Sequence, residues 1–296
     1  VSDDPPSHLV LVNPAAGGGR ALELLPEARR ALDERRVAYR VVETTGLEHG
    51  CVEARMAAGA GEVVVVMSGD GLIGQIGGAL ANTGAALGIL PGGRGNDLAR
   101  VLGIPTDMAG AVEVLAAGNA REIDVGEVNG KRFLGIASCG FDSEANRIAN
   151  EARHVKGRLV YLYAALWALA TWKPATFTLT IEGAREQATG YTVAMANSKA
   201  YGGGMYAAPT AELDDGELDV GVTGNVSKLR FLRGLGKVFE GEHLEVLDVR
   251  IWRTAEVTVE ADRPFAVYAD GDHITDLPAT ARVLRRALRV IAPAQP

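Results

Sequence analysis

The apolar positions fall into two successive rhythms. In the first part, short β-branched runs at His8–Val12, Val37–Thr44, Glu62–Met67 and Ala86–Leu90 read as strands. Between and after them, Leu22–Arg35, Glu48–Ala58, Leu72–Ala81, Asp97–Leu102 and Met108–Ala117 repeat their apolar residues at helical spacing. This alternation predicts right-handed βαβ units and an open parallel sheet.

Near Glu122–Gly126 the pattern changes. Strands then follow one another mostly without helices: Arg132–Ser138, Thr176–Glu182, Gly190–Asn197, Glu217–Val222, Val246–Arg253, Ala255–Ala261, Phe265–Ala269 and Ala281–Val290. Alternation such as Val257, Val259 and Ala261 fits strands with one buried face. Helical stretches interrupt at Ser143–Arg153, Arg158–Trp172 and Ser227–Glu240. The expected class is α/β plus β-sandwich: an open parallel-sheet domain over residues 6–126, then a mainly antiparallel sandwich over 127–292 whose final segment is free to pack back on the first domain.

Composition narrows the function. With 296 residues, 47% of them hydrophobic, the chain can bury two cores. A net charge of -7 with scattered Lys and Arg argues against nucleic acid as a partner. Cys51 and Cys139 lie far apart without metal-ligand spacing, so neither a disulfide framework nor zinc is expected and a reducing compartment is inferred. The stretch Leu159–Trp172 is too short to span about 30 Å of hydrocarbon, and no charged-then-apolar leader opens the chain. A cytoplasmic protein, soluble or peripheral at a membrane, is expected. Leu159–Trp172 is open to two readings, a membrane- or lipid-facing helix and the commoner buried interdomain helix.

Three glycine-rich loops each follow a predicted strand: Asn13-Pro14-Ala15-Ala16-Gly17-Gly18-Gly19, Ser68-Gly69-Asp70-Gly71 and Pro91-Gly92-Gly93-Arg94-Gly95-Asn96-Asp97. In an open parallel sheet such loops converge at the carboxyl ends of the strands, where ligands bind. Glycine lets backbone amides approach phosphate closely, and the next helix adds favourable potential. Together the loops predict nucleotide binding. Gly69, Gly71 and Gly74 also satisfy GxGxxG, so an NADP-dependent oxidoreductase competes. Against it, the acid expected about 20 residues later is replaced by Arg94.

These residues resemble the diacylglycerol kinase catalytic-domain family, which includes bacterial lipid kinases and sphingosine kinases and is distantly related to NAD kinases. The match runs from Val10 to about Val290. Its motifs correspond to Asn13–Gly17, a threonine at Thr44 or Thr45, Ser68–Leu72, Pro91–Asp97 with Leu98-Ala99-Arg100, Asn197–Ala211 with Asp214-Asp215-Gly216, and Asp270-Gly271-Asp272. The resemblance implies ATP and Mg2+ as cofactors and phosphorylation of a hydroxyl on a lipid, diacylglycerol-like or sphingoid. It makes Asp270 the general base, with Asp272 beside it in the catalytic signature. Asp215 would supply a magnesium carboxylate, Glu212 and Glu217 would add backbone oxygens, and Asp70, Asp97 and Asp124 would hold the catalytic ion. The nucleotide would lie against Asn13, Pro14, Ala15, Ala16, Gly17, Thr44, Ser68, Gly69, Asp70, Gly71, Leu72, Gly74, Arg94, Asn96 and Asp97.

The chain departs from the family's pattern at Ser68 (usually Gly), Leu72 and Arg94 (usually Thr), Gly74-Gln75 (usually Asn-Glu) and Asp272 (usually Glu). A noncatalytic or repurposed nucleotide-binding member acting on a soluble metabolite is therefore the alternative. Peripheral membrane contact and a homodimer are left open.

Overall fold

The structure, a computed structural model, describes residues 7–151 and 159–294. Its first half contains β1 (His8–Val12), α1 (Arg20–Glu34), β2 (Tyr39–Glu43), α2 (Leu47–Gly59), β3 (Val63–Ser68), α3 (Asp70–Leu80), β4 (Ala86–Pro91), α4 (Asp97–Val101) and α5 (Met108–Ala117). The strands lie parallel in the order β2-β1-β3-β4, with His8 opposite both Tyr39 and Val63. β1, β3 and β4 are buried along almost their whole length, which is why they read as unbroken apolar runs. Val10, Val65, Leu87, Ile73 and Val112 are among the residues of the core that the helices close over this sheet.

The second half opens with β5 (Ala120–Val128), β6 (Lys131–Phe133), β7 (Ile136–Gly140), α6 (Phe141–Glu151) and α7 (Leu159–Thr171). It continues through β8 (Ala175–Ile181), β9 (Ala184–Ala196), β10 (Leu218–Gly224), α8 (Lys228–Lys237), α9 (His243–Val246), β11 (Val249–Thr254), β12 (Glu256–Ala261), β13 (Ala266–Ala269), β14 (Asp272–Asp276) and β15 (Ala279–Ile291). These strands pair antiparallel over a second core that includes Phe133, Phe177, Val193, Val220 and Val259. β15 ties the halves together. It runs antiparallel to β5 and β12, and its last residues pair parallel with β4, Arg289 opposite Ala86.

Tight turns set the sandwich registers. Asn129-Gly130, Glu182-Gly183 and Asp270-Gly271 each join two antiparallel strands through two residues with positive φ. That is the type I′ geometry whose twist matches the flanking strands, and glycine accepts the second position without steric penalty.

Two expected elements need correction, and β5 and β14 are additions. The strand expected over Arg132–Ser138 is broken at Leu134-Gly135, whose amides turn aside to a side-chain partner described below. The strand expected from Val246 begins at Val249, because His243–Val246 closes a helical turn. Neither β5, where only a change of pattern is expected, nor β14 is among the expected strands. Parts of two predicted helices, through Arg153 and from Arg158, lie outside the described residues. Within α7, Ala164, Ala168 and Leu169 are buried, the last two in an aromatic cluster of the second half, whereas Leu166 and Trp167 are exposed. The described side chains of that helix are therefore part buried and part exposed.

Candidate active site

The three glycine loops meet at the carboxyl ends of β1, β3 and β4, around a cleft of about 450 Å³. Asn13, Ala16, Gly17, Gly18, Ser68, Gly69, Asp70, Gly71, Leu72, Gly93 and Arg94 line it, together with Leu47 and, from the second half, Asp272.

Each loop has a local reason for its shape. Asn13 folds its side chain over the first turn, its Oδ1 accepting from the Ala15 amide at 3.0 Å. Gly17, Gly18 and Gly19 all have positive φ, so the chain can coil tightly into α1. In the third loop Asn96, itself at φ 54°, accepts the Gly93 amide at 2.9 Å. A Cβ on Gly93 would collide with the Cα of Gly69, so the second and third loops touch backbone to backbone. Arg94 lies over the first loop: its Nη2 stands 3.1 Å from where a Cβ on Gly18 would be. Among the described residues its exposed guanidinium has no ion-pair partner.

Other expected nucleotide residues sit behind this surface. Thr44 is buried, and its methyl closes on Gly50 together with Leu72 and Ile76. Leu72 is thus part of the α2–α3 seam as well as the cleft wall. Pro14 and Ala15 belong to the first turn without lining the cleft, and Gly74 faces Asp270 instead.

Two carboxylates meet here, Asp70 on the cleft lining and Asp97 next to it but outside that lining. Asp70, in the first turn of α3, accepts the Leu98 amide at 3.2 Å. Asp97, at the start of α4, is buried and accepts the Gly203 amide at 2.7 Å through Oδ2. They face each other across Gly95, where a Cβ would lie 3.0 Å from Asp70 Oδ2 and 3.2 Å from Asp97 Oδ2. Burial, and then the charge of Asp97, raise the carboxyl of Asp70 above its ordinary range. Asp97 Oδ1 is buried with no hydrogen-bond partner among the described residues. Such an oxygen suits a cation or a ligand donor, since leaving it unpaired costs about 1–3 kcal/mol.

Asp270 stands beside this group at the tip of the β13–β14 hairpin, with φ 50°. Its carboxyl turns inward and accepts the amides of Leu134 at 2.9 Å and Gly135 at 3.0 Å. Burial pushes the carboxyl up to about 6, against the pull of those amides, and nearby Asp70 adds to the rise. Asn197, fully buried, braces the same peptide: its Nδ2 donates to the carbonyls of Leu134 and Asp124. Leu134, Gly135, Asn197 and Gly203 were not expected as site residues. Only Asn197 and Gly203 fell within a motif, and nothing local marks the Leu134-Gly135 peptide.

The remaining metal candidates stand apart from the cleft lining. Asp124 accepts the amides of Gly216 and Arg286, both at 2.6 Å, one on each oxygen. Asp215 accepts the Glu217 amide at 3.0 Å, and Glu212 is exposed. No group of three or more His, Cys, Asp and Glu among the described residues is arranged to share a metal ion.

Residues 7–128 match the model of the diacylglycerol kinase catalytic domain, and residues 135–292 that of the YegS C-terminal NAD kinase beta sandwich-like domain. A protein named diacylglycerol kinase from Mycobacterium tuberculosis is 36% identical, over 96% of this chain and 94% of its own. A Pseudomonas aeruginosa protein named "Probable lipid kinase YegS-like" is 33% identical, over 97% of this chain and 94% of its own. The crystal structure of a diacylglycerol kinase from Bacillus anthracis superposes with a TM-score of 0.77, covering 99% of this chain and 98% of that one at 21% identity, which bears on the fold. The chain belongs to the diacylglycerol kinase family of lipid kinases.

Proposed function

We propose that the protein transfers the terminal phosphoryl group of ATP to the hydroxyl of a membrane lipid, diacylglycerol or a close relative. The observation that carries this reading is the junction of two kinds of group. A backbone cradle suited to phosphates stands beside a buried carboxylate, Asp270, whose proton affinity is raised towards neutrality. The relatives named diacylglycerol kinase favour that acceptor.

In this mechanism the Gly17 amide and the guanidinium of Arg94 hold the phosphates, while the amides of Gly18 and Gly19 close the turn on the carbonyls of Ala15 and Ala16. Asp270 accepts the proton of the lipid hydroxyl as its oxygen attacks the terminal phosphorus, and ADP leaves with the bond it loses. Asp70 and the unpartnered oxygen of Asp97 are the groups fitted to hold Mg2+, which when bound neutralises charge building on the phosphoryl oxygens. Asp272, on the cleft wall, stands one turn residue beyond the base.

Two expected results arise from this geometry. Arg94→Ala removes a charge-assisted contact and should raise the KM for ATP about tenfold or more, with a smaller change in turnover at saturating nucleotide, as steady-state kinetics would read. The pH profile of kcat/KM should fall on the acid side. The base works only when ionised, so activity is lost as pH drops through about 6. An acid limb near pH 4 would contradict a raised carboxyl. The test of the proposal itself is transfer of label from ATP to lipid.

A further inference from the structure

α8 has an apolar residue facing each way. Inward, Phe231 stacks on Tyr191 with ring centroids 4.2 Å apart and meets Phe141 edge-on at 4.8 Å. Outward, Leu229 and Leu232 are 64% and 40% exposed, and Phe239, on the helical turn that follows, is 54% exposed. At about 100° per residue these three and Gly236 fall on one narrow stripe. Lys228 borders the stripe on one side, Arg233 and Lys237 on the other.

No acid interrupts α8, although the whole chain carries a net charge of -7; on the turn that follows, the exposed Glu240 stands beside the stripe next to Phe239. Lys237 is paired with Glu242 at 3.2 Å, and Arg230 turns back to the carbonyls of Glu245 and Val246. Lys228 donates to the carbonyl of Ala170 at 2.7 Å, which fastens the start of α8 to the last turn of α7. Leu166 and Trp167, exposed on α7, precede Ala170 by one helical turn.

We infer that the outer face of α8, with the end of α7, docks on an anionic lipid bilayer. Apolar side chains flanked by Lys and Arg, with Trp at the margin, suit the boundary between headgroups and acyl chains. A second copy of the chain is a poorer occupant. A two-fold contact would set the same basic residues against themselves. The inference rests on the lipid-kinase reading only for its purpose, which is to bring the cleft to an acceptor resident in the bilayer.

The test uses the full chain with sedimenting vesicles of phosphatidylcholine alone or mixed with phosphatidylglycerol. Binding is expected to the anionic vesicles and at least tenfold weaker to the neutral ones, with weakening as salt is raised. Tryptophan emission should shift to the blue on binding, since Trp167 would leave water. The Leu229→Glu/Leu232→Glu variant changes only exposed positions and should lose at least tenfold in vesicle binding, while its circular dichroism and its turnover of a water-soluble short-chain acceptor stay at wild-type levels. Absence of wild-type binding, or equal binding by the variant, would overturn the inference. So would a wild-type dimer that the variant splits into monomers. Vesicle binding is read without turnover, so failure of the kinase reading would appear separately, as absent phosphorylation by a protein that still sediments.

Discussion

Asp270→Asn should lower turnover by a factor of about 10² to 10⁴, the range that a general base supplies. The substitution keeps the hairpin, because asparagine accepts positive φ in a type I′ turn as readily as aspartate. It also removes a buried charge, but turns an amide NH2 towards one of the two backbone N–H groups that now serve the carboxylate. Those two effects oppose each other, so the melting temperature should stay close to that of the wild type. Asp270 does not line the phosphate cradle, so ATP affinity should change by less than about threefold. Steady-state kinetics beside a nucleotide titration would separate these quantities. A variant retaining a tenth or more of the turnover would mean that the proton goes elsewhere.

Gly93→Ala should abolish measurable nucleotide binding. The new methyl would run into the Cα of Gly69 and stand 3.1 Å from Asn96 Oδ1, which already holds the Gly93 amide. Neither obstacle is the loose end of a flexible side chain, so two phosphate loops must separate. Overpacking of this kind costs about 1–3 kcal/mol. The larger consequence is for binding, since a displacement of about 1 Å in a positioned site costs on the order of a hundredfold. Gly59→Ala is the control: a Cβ there meets nothing within 4 Å, and its affinity should match the wild type. Isothermal titration with ATP on both variants checks the contrast, and tight binding by the Gly93 variant would mean that the loops do not form the cradle.

How far the sequence carried the fold depended on what each element buries. β1, β3 and β4 are covered on both faces, so their β-branched runs marked them closely, and the helices between them followed from spacing. β14 was obscured because His273-Ile274-Thr275-Asp276 is short and mostly polar, with Ile274 its one buried residue. Its signal lay in Asp270-Gly271, which specifies a hairpin as strongly as it suggests a functional loop. The break at Leu134-Gly135 was invisible, since the carboxylate that claims both amides is 136 and 135 residues away. The same applies to the site. Glycine loops announce themselves locally, whereas the bracing of Leu134 by Asn197 and the contact between Gly203 and Asp97 arise only from tertiary pairing. Motifs also do not say which oxygens remain free: Asp97 keeps one unpartnered, whereas Asp124 has both engaged by backbone amides.

The most direct measurement is phosphoryl transfer itself. Purified protein would be incubated with Mg2+ and ATP labelled at the terminal phosphate in mixed micelles containing diacylglycerol, and the lipid phase extracted and counted. Label should enter the lipid with the wild type and fall to background with Asp270→Asn. An unlabelled lipid phase across a panel of hydroxyl-bearing lipids, from a protein that binds NADPH saturably without competition from ATP, would contradict the account.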